Sequence, residues 1–193
     1  MKILIACEFS GIVREAFSSL NAGHTVYSCD LLPTDIKGNH IQGDVLKVIN
    51  DGWDLIIAHP PCTHLSVSGA ARWAEKVADG RQPAAIKFVE NIWDADCPLI
   101  AIENPVGALS SRSKLGKATQ YIQPYEFGHA EQKKTGLWLK GLPKLVPTDV
   151  VDVSNLPDNQ RQRLHYLPPS KDRWKLRSLT FPGIARAMAD QWG

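Results

Sequence analysis

Five short apolar runs, each closing on polar residues, restrict the possible folds more than any other feature of this chain. Lys2–Ala6 ends at Cys7-Glu8, His24–Cys29 ends at Asp30, and a short run near His40–Gln42 ends at Gly43-Asp44. Asp54–Ala58 runs into His59-Pro60-Pro61-Cys62, and Pro98–Ile102 runs into Glu103-Asn104-Pro105. Brief apolar runs bounded by turn residues read as strands buried on both faces. Helical patterns lie between them. Gly11–Leu20 sets Ile12, Ala16, Phe17 and Leu20 at helical spacing and stops at Asn21-Ala22-Gly23. A helical turn follows Asp44 through Asn50, and Pro83–Trp93 forms another helix. This alternation predicts an α/β fold with a mostly parallel sheet and helices on both faces. Ligands of such sheets gather at the carboxyl ends of the strands, so Glu8, Asp30, Asp44, Cys62 and Glu103 are expected along one edge.

The second half is less regular. Gln120–Phe127 and Gly136–Lys140 read as strands of a hairpin joined through His129–Thr135. Prolines 143, 147, 157, 168, 169 and 182 predict an irregular, loop-rich stretch over residues 141–179. Gly183–Trp192 reads as a closing helix with Ile184, Ala187, Met188 and Trp192 on one face, so residues 180–193 return to the core. No internal repeat is present.

Charge divides the chain in the same way. The net charge of +2 over 193 residues conceals a first part, residues 1–111, with 8 basic and 13 acidic side chains. Residues 112–193 carry 14 basic and 7 acidic side chains, which points to a surface facing a polyanion or to a solvated basic face. The length suits one domain. No apolar run could span a bilayer, and the early Glu8 with no small-residue cleavage site argues against a signal peptide. Cysteines 7, 29, 62 and 97 form no CxxC pair, so no structural metal is expected. Cys7, Cys29 and Cys97 lie in or beside apolar runs and are expected to be buried, reduced thiols. Cys62 follows two prolines in a polar loop, a setting for chemistry.

The polar residues at the strand ends suggest specific roles. The turn Glu8-Phe9-Ser10-Gly11 would expose backbone N–H groups at a helix N-terminus to an anionic or carboxylate-bearing ligand. It is not GxGxxG, because Val13 and Arg14 interrupt the pattern. Asp30 suits ribose hydroxyls and Asp44 an adenine amine, although both also read as turn or N-cap residues. Adjacent parallel strands would bring Cys62 and Glu103 together. A thiolate of lowered pKa is a strong nucleophile, and a buried Glu that stays protonated can act as an acid toward a ring nitrogen. The pair suits covalent attack on a pyrimidine; the plainer reading is a turn Cys and a capping Glu.

The ordered set Phe9-Ser10-Gly11, Asp30, Gly43-Asp44, Pro61-Cys62 and Glu103-Asn104 resembles the motif series of DNA cytosine-C5 methyltransferases. His59-Pro60-Pro61-Cys62-Thr63-His64-Leu65-Ser66 and Thr180-Phe181-Pro182-Gly183-Ile184-Ala185 resemble the compact forms carried by bacteriophages. The resemblance implies a Rossmann-like S-adenosylmethionine-dependent methyltransferase fold, with residues 1–140 as cofactor-binding and catalytic core. It implies methyl transfer to C5 of a flipped-out cytosine in DNA, with Cys62 bonded to C6 and Glu103 at N3. Phe9, Ser10, Gly11, Asp30, Asp44, Val45 and Pro60 would contact the cofactor. Pro61, Thr63, Asn104 and Gln132 would face the substrate. The family's Gln-x-Arg-x-Arg segment corresponds to Gln132-Lys133-Lys134-Thr135-Gly136, with Lys134 replacing one Arg and the other absent. Residues 141–179 would recognise the target through Arg161, Arg163, Arg173 and Lys175, and so short a segment implies short or relaxed specificity. A monomer acting on DNA in the cytoplasm, of the host if phage-encoded, follows from the resemblance, as does protection of phage DNA against restriction-modification. Free dCMP or RNA as substrate, or a degenerate methyltransferase fold that only binds nucleic acid, stand as alternatives.

Overall fold

The computed structural model describes residues 1–20 and 22–193. Its seven strands are β1 (Lys2–Ala6), β2 (Thr25–Asp30), β3 (His40–Gln42), β4 (Leu55–Ala58), β5 (Leu99–Pro105), β6 (Gln120–Ile122) and β7 (Thr135–Lys140). They form one sheet in the order β3-β2-β1-β4-β5-β7-β6. Neighbours from β3 to β5 pair in parallel, while β7 runs antiparallel to both β5 and β6. The helices are α1 (Ile12–Ser18), α2 (Trp73–Ala78), α3 (Arg81–Trp93), α4 (Leu109–Arg112), α5 (Asp158–Arg161), α6 (Arg163–Tyr166), α7 (Arg173–Ser178) and α8 (Pro182–Trp192).

The strand residues alternate between two cores, which is why their sequences are apolar throughout. Ile3, Ile5, Leu55, Ile57, Ala101 and Leu137 join the core that holds Val13 and Phe17 of α1 and Ile184, Ala187, Met188 and Trp192 of α8. Leu4, Ala6, Ile56, Ala58, Ile100, Ile102 and Trp138 join the other, with Val89 and Ile92 of α3. Each fully buried Leu or Ile contributes about 1.5–3 kcal/mol of transfer free energy. The α/β architecture and the apolar face of α8 thus agree with the sequence reading.

Several element boundaries differ from the sequence reading. β5 does not stop at Ile102 but continues through Glu103, Asn104 and Pro105, which pair with Leu137, Gly136 and Thr135 of β7. An antiparallel neighbour carries the strand past the ends of its parallel ones, so Glu103 lies within β5. β6 stops at Ile122 because Pro124, lacking an N–H, opens a 3-10 turn over Pro124–Glu126. Three short helices, α5 to α7, interrupt the stretch expected to be irregular. α2, α4 and a 3-10 segment over Val67–Arg72 have too little periodicity to be anticipated. The predicted stop signal of α1 includes Asn21, which lies outside the described residues, and the helix itself ends at Ser18.

The first turn departs most from expectation. Its N–H groups are not free for a ligand. Glu8 is buried, and its Oε1 accepts from the Val13 N–H at 2.6 Å and from Ser10 Oγ at 3.1 Å. Its Oε2 accepts from the Arg14 N–H at 3.3 Å. The chain's own carboxylate therefore occupies the anion position at the start of α1. Arg14, also buried, donates to Ser28 Oγ at 3.0 Å and Thr34 Oγ1 at 3.2 Å, tying α1 to β2 and the following loop. A Cβ at Gly11 or Gly38 would stand 2.8 Å from the guanidinium, so both glycines make room for it. Glu8→Ala is expected to lower stability by about 1–2 kcal/mol, as loss of a helix cap does. Thermal unfolding should then shift down by roughly 2–8 °C; an unchanged midpoint would show that the carboxylate does not cap α1.

Candidate active site

The Cys62 loop is held from every side. The His59 N–H donates to Ala6 O at 2.9 Å, docking the end of β4 on β1. Pro60 and Pro61 offer no N–H, and the Pro60 carbonyl accepts from Asn104 Nδ2 at 2.8 Å, linking the loop to β5. The Cys62 carbonyl accepts from the Leu65 and Ser66 N–H groups at 3.0 and 2.9 Å, forming a tight turn. Lys76 Nζ donates to Thr63 O at 2.7 Å, and Gln82 Nε2 to His64 O at 2.9 Å. Lys76 and Gln82 are both buried, and sequence reasoning missed them because an isolated polar residue in a helix looks solvent-facing. Beyond the turn, Ala108 N donates to Leu65 O at 2.8 Å. A Cβ at Gly107 would come within 2.0 Å of that carbonyl, so only glycine permits this approach.

Glu103 is brought close enough to Cys62 to perturb its ionisation. Burial pushes the Glu103 carboxyl up, but the His59 imidazole, the Lys133 charge and Thr135 outweigh it and hold the group below the ordinary carboxylate value. This balance favours the carboxylate form of Glu103 over the protonated form that could act as an acid. Burial pushes the Cys62 thiol up, and the Glu103 charge adds to this. Lys133, the backbone amide of Cys62 and Arg177 pull the other way and are outweighed. The expected lowering of the thiol pKa is thus reversed, and Cys62 rests as a thiol.

His59 was not singled out in the sequence. Its ring is buried, Nδ1 lies 3.6 Å from Glu103 Oε2, and neither ring nitrogen has a hydrogen-bond partner among the described residues. Lys133, rather than Lys134, is the cation whose charge reaches both reactive groups. Lys133 Nζ donates to Arg177 O at 3.1 Å. Lys134 is exposed, with Nζ 4.9 Å from the centre of the Tyr121 ring. The Gln132 N–H donates to Arg161 O. Pro61 and Thr63 are exposed beside Cys62.

An acidic edge runs along the ends of β1 to β3. Asp30 Oδ1 accepts from Leu32 N at 2.9 Å, and Asp44 Oδ1 from Leu46 N at 3.0 Å. Both carboxylates thus shape local turns, the plainer of the two sequence readings, and each retains its second oxygen. Burial, Asp30, Cys29 and Asp44 together drive the Cys7 thiol far above its ordinary value. Cys7 is half-buried rather than buried, while Cys29 and Cys97 are buried, and all four cysteines are free thiols. Val45 and Pro60 are buried. Phe9 is buried too, covered by α7: the Trp174 ring lies 6.0 Å away at 56°, and Lys175 Nζ lies 5.3 Å from the ring centre.

The basic segment is largely satisfied within the protein. Arg161 pairs with Asp158, Arg163 Nη2 with Glu131 at 2.7 Å, and Lys175 Nζ with Asp35 at 2.8 Å. Arg173 donates to the carbonyls of Leu167 and His165 at 2.8 and 3.0 Å. Lys171 and Arg177 form no ion pair among the described residues. Trp174 is 55% exposed and offers most of its ring to solvent. Among the described residues, no group of three His, Cys, Asp or Glu could hold a metal ion, and no helix is long and apolar enough to cross a membrane.

No family model matches the chain, and no curated protein matches it. Among the solved structures that match is one described as Entamoeba histolytica methyltransferase EhMeth, with 16% sequence identity and a TM-score of 0.50. The alignment covers 89% of this chain and 64% of that one, so the chain spans less than two thirds of the other's length. At this identity the likeness is one of fold: the present sheet is the Rossmann-like α/β sheet of a methyltransferase fold.

The electrostatics of the site can be tested through thiol chemistry. Because the Cys62 thiol lies above its ordinary value, iodoacetamide at pH 8 should modify it more slowly than free cysteine. Lys133 lowers that value, so Lys133→Met should raise it further and slow alkylation again. Peptide mapping by mass spectrometry, with rates compared at pH 8 and pH 10, reads both effects; an equal or faster rate in the variant would refute the assignment of Lys133.

Proposed function

We propose that the protein transfers a methyl group from S-adenosylmethionine to C5 of cytosine in DNA, with Cys62 as nucleophile at C6. The observation that carries the reading is the bearing of Glu103, within β5, on Cys62 in the loop after β4, with Asn104 tying that loop to β5. The methyltransferase fold neighbour supports methyl transfer in general. The motif order along the chain supports cytosine C5 in particular.

The acidic edge fits the cofactor. Asp30 and Asp44 each keep a carboxylate oxygen for a ribose hydroxyl or the adenine amine, and negative charge here suits a sulfonium cation. Glu8 and Ser10 act indirectly by setting the turn, with Gly11 giving the backbone its left-handed conformation at φ 76°. Phe9 lines the adenine side once α7 moves from its ring. S-adenosylmethionine, when bound, supplies an electrophilic methyl group.

The chain's own residues prepare the base. Cys62 loses its thiol proton to water and attacks C6, forming an Sγ–C6 bond while Glu103 passes a proton taken up from water to N3. Protonation at N3 draws electrons from the ring and makes C6 electrophilic. After C5 is methylated, water takes the C5 proton, the Sγ–C6 bond breaks, the C5=C6 double bond returns and N3 gives its proton back by way of Glu103. Lys133 favours both the thiolate and the carboxylate. Pro61 and Thr63 border the base, and Gln132 and Lys134 flank its entrance. A duplex hides C6, so the base must leave the stack.

Arg161, Arg163, Arg173 and Lys175 would reach phosphates with the N–H donors that their internal partners leave unused. That pairing favours a second reading, in which a smaller cytosine substrate such as dCMP, or single-stranded RNA, is methylated. Labelled methyl transfer in competition among duplex DNA, RNA and dCMP separates the two readings. With 5-fluorocytosine DNA, a covalent complex should form with the wild type and not with Cys62→Ser. Methyl transfer should fall by at least about 10⁴-fold in that variant, as loss of an essential nucleophile implies. Retained transfer in Cys62→Ser would exclude the nucleophile assignment, and bisulfite sequencing of DNA from expressing cells would report the target context.

A further inference from the structure

We propose that His59 is the positioning residue of Glu103 and exchanges a proton with it during base activation. The inference rests on the cytosine-C5 reading for its chemistry, and on geometry alone for the coupling.

His59 is the last residue of the β4 run before the two prolines, and its backbone N–H is fixed on Ala6 O at 2.9 Å. The side chain is 8% exposed, and both ring nitrogens lack partners among the described residues. A buried, unpaired imidazole costs free energy unless another state of the site uses it. Its nearest acidic group is Glu103, with Oε2 3.6 Å from Nδ1, slightly beyond a hydrogen bond. Modest movement as a base enters would close that gap, and catalytic contacts commonly tighten in this way. Burial, which makes a lone carboxylate costly, makes a partner within this distance effective. The other charged or titratable groups bearing on Glu103 are Lys133 and Cys62, from the β7 approach and the proline loop.

Glu103 is held as a carboxylate and carries no proton of its own to give N3. Histidine is the side chain suited to supply one near neutral pH. One proton shared by the pair passes from Nδ1 to Oε2: an N–H bond breaks and an O–H bond forms. That O–H then breaks as N3–H forms, in step with Sγ–C6 bond formation, leaving neutral imidazole beside carboxylate. The thiol proton has already gone to water. On elimination, N3 returns its proton through Glu103 to His59, so the pair ends as it began. His59 thus acts through Glu103 and need not touch the base.

The coupling can be measured without turnover. In the 193-residue chain labelled with 15N-histidine, the 15N shift of His59 Nδ1 should change in Glu103→Gln, because the carboxylate facing that nitrogen at 3.6 Å is removed. His59→Gln assigns the resonance, and Glu103→Ala replaces the glutamine variant if that one does not fold. A His59 Nδ1 shift unchanged in a folded Glu103 variant overturns the proposal. In methyl-transfer assays, His59→Gln should lower kcat by about 10²-fold, leave KM for DNA unchanged and move the acid limb of the pH profile. Wild-type kcat and pH profile in that variant would also overturn it. If the wild type transfers no methyl group, the cytosine-C5 reading fails, and the NMR comparison alone decides whether the pair is coupled.

Discussion

One hydrogen bond, from Asn104 Nδ2 to the Pro60 carbonyl, organises the candidate site. Two prolines in a row leave positions 60 and 61 without an N–H, and Pro60 is buried. A buried carbonyl needs a donor, and only a side chain from the neighbouring strand is placed to provide one. Asn104 can do so because β5 continues past its parallel neighbours, and β5 can continue because β7 meets it antiparallel. The position of Glu103 beside Cys62 follows from the same extension. Lys76, Gln82 and the close approach at Gly107 then fix the remainder of the loop. The site is therefore built on rigid elements, with little left to loop flexibility.

The electrostatics have the same economy. In isolation, burial would neutralise both Cys62 and Glu103. Lys133 and His59 reverse this for Glu103 but not for Cys62, giving a carboxylate beside a resting thiol. A thiol that stays protonated until a base arrives is protected from oxidation and stray alkylation. At the opposite edge, Glu8 fills the start of α1, so the acidic end of the sheet presents Asp30 and Asp44 without a competing anion site. The excess positive charge of residues 112–193 is mostly spent internally, on Asp158, Glu131 and Asp35 and on backbone carbonyls.

The sheet was legible in the sequence because its central strands are buried on both faces, and such strands are apolar at every position. Strand ends were legible where a polar residue follows an apolar run, as at Glu8, Asp30 and Asp44. They were not legible at Glu103, where pairing with a distant segment carries the strand onward. No local pattern encodes a partner that lies more than thirty residues away. Cys62 stood out through its two prolines, whereas His59 looked like a strand terminus. Its significance comes from Glu103, a neighbour in space alone. The same holds for Lys133 and Lys134: adjacent in sequence, they meet different surroundings, and only the charge of Lys133 bears on Cys62 and Glu103. The fates of Arg161, Arg163, Arg173 and Lys175 were hidden for a related reason, since charge is visible in a sequence and its pairing is not.

The packing of α1 against α8 has a consequence for how the chain folds. Val13 and Phe17 on the first helix are covered by Ile184, Ala187, Met188 and Trp192 of α8. One face of the sheet therefore cannot close until residues 182–192 have emerged from the ribosome. Until then the paired strands expose a broad apolar surface, a state prone to aggregation during vectorial synthesis. Contacts of such long sequence separation also slow the search for the native topology. Completion of this core is thus a late, cooperative event, and α8 acts as its latch.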